Sequence, residues 1–135
     1  AFLNSYKATA YSSYFSKLFG FIIFTPLMNY VNQSYYKDHP AFQFITENET
    51  RTYQIFAVIN VDLNNLDDSL EFTQSDWDSN NAFNAFISDS INRELYKTGV
   101  TVDSEDKLMT LVTCDTRDNN KRIVILAKMI NSKVL

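Results

Sequence analysis

Five segments of the chain combine hydrophobic and polar residues in the manner of β-strands. Residues 41–47 alternate most clearly between two faces, with Phe42 and Phe44 on one of them. The turn at residues 48–50 predicts that this segment forms a hairpin with the next one. The other four predicted strands are 51–62, 100–103, 107–114 and 122–130. The pattern therefore predicts a mainly β domain.

A first helix is predicted to begin at Thr25-Pro26. Thr25-Pro26 is typical of a helix start, with threonine as the N-cap and proline at the first helical position. The helix is expected to continue towards Tyr36 and to end at His39-Pro40, because a residue before proline disfavours the helical backbone. Residues 1–24 show no clean period and predict no particular element.

A second helix is predicted from Ser75, which is followed three residues later by Asp78 in a capping-box-like arrangement. Gly99 is expected to stop this helix. Apolar residues recur between these ends at helical spacing, namely Phe83, Phe86, Ile87, Ile91 and Leu95. We interpret this stripe as core packing, so the predicted fold is a β domain with two or more peripheral helices.

Composition and charge limit the functions that are open to the chain. Its 135 residues predict a single domain over residues 1–135, and 45% hydrophobic content is enough for a folded core. A net charge of −4, with no run of lysine or arginine, argues against a nucleic-acid partner. The single cysteine excludes an internal disulfide. No zinc cluster, phosphate-binding glycine loop or EF-hand spacing occurs, so no cofactor or metal is predicted, although the acidic loops leave calcium open.

Cys114 and Arg122 are the candidate chemical pair. Cys114 ends one predicted strand and Arg122 begins the next. If the strands pair with these residues opposite each other, the thiol and the guanidinium share a face, with Cβ atoms about 5 Å apart. Such a pair suits acyl transfer, because a thiolate attacks a carbonyl carbon and a cation stabilises the oxyanion. A shift of one residue would separate the two groups, and the alternative is a buried cysteine beside a surface arginine without chemistry.

Several segments of the chain resemble one enzyme family. Thr110-Leu111-Val112-Thr113-Cys114, followed by Arg122 eight residues after the cysteine, resembles the TLxTC…R signature of the sortases. The flanking segments are similar to class B sortases in particular: Phe24-Thr25-Pro26-Leu27, Ser34-Tyr35-Tyr36 with His39-Pro40, 53–58, 95–102 and Ala127-Lys128. The resemblance covers about residues 24–130, whereas residues 1–23 are atypical.

The resemblance implies a sortase-type β-barrel with peripheral helices, some N-terminal strands being altered or missing. It also implies a cysteine transpeptidase in which Cys114 is the nucleophile and Arg122 contacts the substrate or the oxyanion. Thr113 and Asp115 would contribute to substrate binding. The implied partners are secreted proteins with a C-terminal sorting signal, NPxTN-like for class B, and an acceptor amine on a cell-wall precursor or a pilin. The implied location is the extracellular face of a Gram-positive cell membrane, with the anchor outside this chain.

The chain departs from the family pattern at the general acid. A sortase uses a histidine to protonate the departing amine, and the family carries it in a Tyr-Gly-His-Asn-like segment. An ungapped comparison places Ser16 at the histidine position and Tyr14 at the tyrosine. The alternative is a deletion between residues 15 and 21. The single histidine, His39, belongs by resemblance to a Tyr-x-x-His-Pro stretch that is not catalytic.

This departure leaves two alternatives to an active transpeptidase, a degenerate sortase and a hydrolase. The chain is either an active transpeptidase or a degenerate sortase that binds sorting signals or pilins without turnover. A third class, a cysteine–histidine hydrolase, would pair Cys114 with His39.

Overall fold

A computed structural model describes residues 25–65 and 79–134. In this part of the chain, four antiparallel strands form one sheet in the order β1–β2–β4–β3. The strands are β1 Ala41–Ile45, β2 Glu49–Asp62, β3 Leu108–Asp115 and β4 Asp118–Val134. The helices are a 3₁₀ helix Thr25–Val31, α1 Gln33–Asp38 and α2 Asn80–Asn92. The mainly β prediction is confirmed.

The two long strands β2 and β4 form the centre of the sheet. β1 pairs with β2 as the predicted hairpin, from Ala41 opposite Gln54 to Ile45 opposite Thr50. β4 pairs with β2 over most of its length and with β3 on its other side. The sheet order therefore separates β2 from β3, so any contact between them must reach across β4.

The sheet buries residues on both of its faces, because successive side chains of a strand point to opposite sides. We call the two resulting cores the helix-pair core and the α2 core. In the helix-pair core, residues of the 3₁₀ helix and α1 pack on Tyr53, Ile55, Val58, Met109, Ile123, Ile125 and Ala127. In the α2 core, Phe83, Phe86 and Ile87 of α2 pack with Phe56, Ile59, Val61, Leu108, Val112, Val124 and Leu126.

The N-terminal helical region is divided where a single helix was predicted. A 3₁₀ helix ends at Val31, Asn32 has an extended backbone, and α1 begins at Gln33. The predicted end at His39-Pro40 is confirmed, since His39 is the C-cap. Tyrosine hydroxyls tie this region to the sheet, as Tyr36 Oη donates to the Ile55 carbonyl at 3.0 Å.

Helix α2 ends earlier than predicted. Its described start is capped by Ser79, whose hydroxyl accepts a hydrogen bond from the Ala82 N–H at 3.1 Å. The predicted start at Ser75 lies outside the described residues. The continuation to Gly99 is wrong, because the Leu95 N–H donates to the Val58 carbonyl at 2.8 Å and draws the chain onto β2.

The segment after α2 has no strand where residues 100–103 were predicted to form one. Side chains hold it in place of a backbone ladder. Thr98 Oγ1 donates to the Phe56 carbonyl at 2.6 Å, and Lys128 Nζ donates to the Thr101 carbonyl at 2.7 Å. Gly99 has φ of 74°, so it provides a left-handed turn rather than a helix stop.

The predicted strands 107–114 and 122–130 are confirmed as the cores of β3 and β4. The predicted loop at 115–121 is wrong, because only Thr116 and Arg117 separate the two strands. Asp118 to Asn120 continue the β4 ladder instead. Among the helices of the described ranges, none has the length and hydrophobicity that crossing a membrane requires.

Candidate active site

Cys114 and Arg122 lie directly opposite each other on β3 and β4. The predicted register is confirmed along this hairpin, since Val112 faces Val124 and Thr110 faces Leu126. Directly paired residues point to the same face with Cβ atoms about 5 Å apart. The hairpin therefore places Cys114 and Arg122 side by side on the face that carries the α2 core.

The Cys114 side chain is exposed. It follows Leu108 and Val112, which are buried on the same face of β3, so the thiol stands at the solvent end of an apolar row. This arrangement contradicts the alternative of a buried cysteine. An exposed thiol beside a cation can be approached by a peptide carbonyl, which is the first requirement of thioester formation.

The backbone of its own strand, β4, orients the Arg122 side chain. Arg122 Nη1 donates to the Asn119 carbonyl and to the Lys121 carbonyl, each at 2.9 Å. A guanidinium has five N–H donors in a planar fork. Because the two carbonyls engage one nitrogen, the fork keeps donors for an oxyanion that forms next to Cys114.

Asp115 is buried, with 2% of its surface exposed. Its carboxylate accepts from Arg117 Nε at 2.9 Å, from Arg117 Nη2 at 2.8 Å and from the Arg117 backbone N–H at 2.9 Å. Asn60 Nδ2 donates to the same carboxylate at 2.9 Å. The hydrogen bonds from Arg117 hold the pKa of Asp115 well below its usual range, so the carboxylate stays ionised.

Asp115 and Thr113 face away from the Cys114 thiol. Asn60 alternates on β2 with Val61, a member of the α2 core, and so lies on the opposite face. Asp115 reaches Asn60 on that face. Thr113 follows the alternation of β3 and shares a face with Met109. Their substrate-binding roles stay predictions, and the contacts that Asp115 makes are structural ones.

His39 lies far from Cys114. Its ring stacks on Tyr35 with centroids 4.2 Å apart, and its Nδ1 lies 3.1 Å from the Tyr35 carbonyl. The neighbouring Pro40 carbonyl accepts from the Ile55 N–H, whereas Arg122 pairs with Val61. Six residues of strand from Ile55 to Val61 span about 20 Å. This separation contradicts a hydrolase in which His39 serves Cys114 directly.

Ser16, which aligns with the family histidine, lies outside the described residues, as do Tyr14 and the alternative deletion between residues 15 and 21. In the described ranges, no group of three or more His, Cys, Asp or Glu side chains could hold a metal ion.

Comparisons with known proteins identify relatives of the chain. No family model matches it. Sortase B of Staphylococcus aureus is 24% identical over 110 residues, which cover 80% of this chain and 43% of that protein. The crystal structure of S. aureus sortase B superposes with a TM-score of 0.68 at 26% identity, over 80% of this chain and 50% of the other. In sequence and in fold, the chain is therefore similar to sortase B.

Other class B sortases share the fold. Sortase B of Clostridium perfringens superposes with a TM-score of 0.69 at 22% identity, covering 80% of this chain and 58% of the other. S. aureus sortase B has also been solved as a substrate complex and in complex with triglycine. The chain spans about half the length of these sortases, and its antiparallel sheet with few helices matches their mainly β fold.

Two residues of the site region escaped the sequence reasoning. Asn60 is a polar residue inside the hydrophobic run of β2, and that interruption was the available signal. Arg117 lies two residues after Asp115, a spacing that suits a side-chain hydrogen bond across a tight turn. The sequence does not indicate that Asn60 bonds to Asp115, because the two residues are 55 positions apart in the chain.

Proposed function

We propose that the chain carries the nucleophile half of a sortase active site and performs acyl transfer through Cys114. The observation that carries the proposal is the pairing of an exposed thiol with an oriented guanidinium at the end of the β3–β4 hairpin. Homology to sortase B supports the same assignment. The substrates would be secreted proteins with an NPxTN-like sorting signal, at the outer face of a Gram-positive cell.

The proposed reaction begins when the Cys114 thiolate attacks the carbonyl carbon of the threonine in the sorting signal. Arg122 donates hydrogen bonds to the oxyanion, where fixed charge is most effective. The carbon–nitrogen bond then breaks as the amine takes up a proton from solvent water, and a thioester remains on Cys114. An amine of a cell-wall precursor or a pilin attacks the thioester and releases the thiol. The S. aureus relative's complexes with substrate and with triglycine support peptide and amine partners of this kind.

The test is acylation of Cys114 by an NPxTN-type peptide, read by mass spectrometry of the intact protein. The expected result is a thioester adduct on the wild type and none on Cys114→Ala, whose single cysteine is removed. Arg122→Gln is expected to slow adduct formation by about 10²–10³-fold, the range for losing one oxyanion donor. Absence of an adduct, while an active sortase B reacts in parallel, would overturn the activity.

A second candidate function is binding of sorting signals or pilins without turnover. The separation of His39 from Cys114, whose neighbours contact β2 about 20 Å of strand apart, favours it, because an amine that leaves unprotonated departs about 10²–10⁴-fold more slowly. Peptide binding that survives Cys114→Ala, together with absent cleavage, would support this candidate. Turnover that depends on Cys114 would exclude it.

A further inference from the structure

The turn between β3 and β4 is held from the face opposite Cys114. Asp115 is the last residue of β3, and its carboxylate accepts the backbone N–H and two guanidinium N–H groups of Arg117. Charge-assisted bonds of this bidentate kind are the strong ones. They fix the two-residue turn that returns the chain into β4.

The same carboxylate is tied to the central strand. Asn60 on β2 donates to Asp115 on β3, although β4 lies between the two strands. The bond therefore crosses the strand that carries Arg122. The register of β3 against β4 shifts directly after Cys114, which interrupts the ladder there, so the bond supports the strand end where the ladder is weakest.

The turn also controls Arg122. Asn119 lies two residues after the turn, and its carbonyl accepts from Arg122 Nη1. A displacement of the turn would move both this carbonyl and the strand end that carries Cys114. The positions of the thiol and the guanidinium thus depend on one short segment.

We propose that Asp115, Asn60 and Arg117 form a brace that positions Cys114 against Arg122. The brace rests on the proposed function for its biological meaning, but its geometry can be tested without that function. Asp115 is a positioning residue here, acting through the turn and not through contact with substrate. A change in the brace should alter the Cys114–Arg122 spacing while leaving both residues present.

The chain offers a matched control at the far end of the sheet. Glu49 accepts from Arg51, two residues later, with Arg51 Nε at 2.7 Å, and from Ser132 Oγ at 2.9 Å. This cluster repeats the chemistry of the brace: an acid, an arginine at the second following position and a polar group from another strand. Glu49→Gln therefore removes an equivalent charge without touching the β3–β4 turn.

The experiment compares the alkylation rates of Cys114 with iodoacetate, an anion, and with neutral iodoacetamide. The ratio of the two rates reports the guanidinium beside the thiol, and the single cysteine makes the label unambiguous. Arg122→Gln is expected to lower the ratio about fivefold, the factor for unit charges about 4 Å apart in water. Asp115→Asn is expected to lower it towards the same value, and Glu49→Gln to leave it unchanged.

The outcomes separate a brace from general stability. An unchanged ratio in folded Asp115→Asn, or an equal fall in Glu49→Gln, would overturn the proposal. If Asp115→Asn does not fold, Arg117→Gln decides, because the Arg117 side chain is 60% exposed and its loss disturbs less of the core. In the peptide reaction, Asp115→Asn is expected to lower kcat about tenfold with KM retained. If the wild type does not react with the peptide, the proposed function fails and the alkylation ratio still decides the brace.

Discussion

At the scale of single residues, the candidate site depends on how each side chain is partnered. Cys114 is exposed beside Arg122, whose orientation is set by two backbone carbonyls. Asp115, the next residue along, has the opposite situation, since it is buried and fully engaged with Arg117 and Asn60. Adjacent residues of one strand therefore differ in exposure and in partners, because alternation turns their side chains to opposite faces.

The partnering of Asp115 predicts a pH dependence of stability. Hydrogen bonds from Arg117 and Asn60 lower the pKa of Asp115 in the folded chain below the ordinary 3.8. The stabilisation is therefore fully present above pH ~4 and is lost as the pH falls towards the folded pKa. The difference in free energy of unfolding between the wild type and Asp115→Asn should be constant from about pH 5 to 7, because this range lies above the pKa of an unfolded aspartate.

Below pH ~4 that difference should shrink, by at most about 1.4 kcal/mol per pH unit. Urea unfolding followed by circular dichroism at several pH values measures it. The comparison removes the contribution of the other acidic residues, because both proteins carry them. A difference that stays constant down to pH 2.5, or grows there, would contradict an ionised, hydrogen-bonded Asp115.

At the scale of elements, local signals located the strand cores better than the end of α2. Strand cores follow from the alternation of residues, which is local information. The end of α2 does not, because a backbone hydrogen bond from Leu95 to Val58 competes with further helical turns. Ser79 caps the described helix, and the predicted start at Ser75 lies outside the described residues.

The Ser79 cap predicts a stability effect for α2. Ser79→Ala removes the acceptor of the Ala82 N–H and should lower the free energy of unfolding by about 1 kcal/mol. Ser88→Ala is the matched control, since Ser88 is exposed inside the same helix. Alanine has the higher helix propensity there, so this variant should be neutral or slightly more stable. Equal losses in urea titrations of the two variants would contradict the cap.

At the scale of the whole molecule, one sheet serves two cores. β2 and β4 contribute buried side chains to both faces, which explains why their sequences are nearly continuous hydrophobic runs. The helix-pair core and the α2 core cover opposite faces of these strands. Cys114 and Arg122 lie beyond the buried rows, where the sheet continues into solvent.

Burial changes along β4, so substitutions of its isoleucines should differ strongly in their effect on the free energy of unfolding. Ile125 is fully buried, whereas Ile130 on the same strand is 54% exposed. Ile125→Ala should lower the free energy of unfolding by about 2–5 kcal/mol because it removes packed methyl groups. Ile130→Ala should change it by no more than about 0.5 kcal/mol. Thermal and urea unfolding of both variants measure the contrast, and similar losses would contradict the observed burial.

The sequence by itself determined the features that depend on neighbours in the chain. Alternation located the strand cores, and the spacing of Cys114 and Arg122 allowed a hairpin register that the structure has. The sequence also predicted the reaction class of the candidate site, since a lone thiol near an arginine suits acyl transfer. The TLxTC…R resemblance indicated the sortase family, because a short motif with its flanking segments is local information as well.

Tertiary structure decided what depends on residues that are distant in the chain. The strand order β1–β2–β4–β3 brings Asn60 to Asp115 across β4, which no periodicity could indicate. It also separates His39 from Cys114, although a lone histidine and a lone cysteine invited pairing. The physical reason is that side-chain patterns record which face is buried, whereas strand order and turn geometry determine which buried or exposed groups meet.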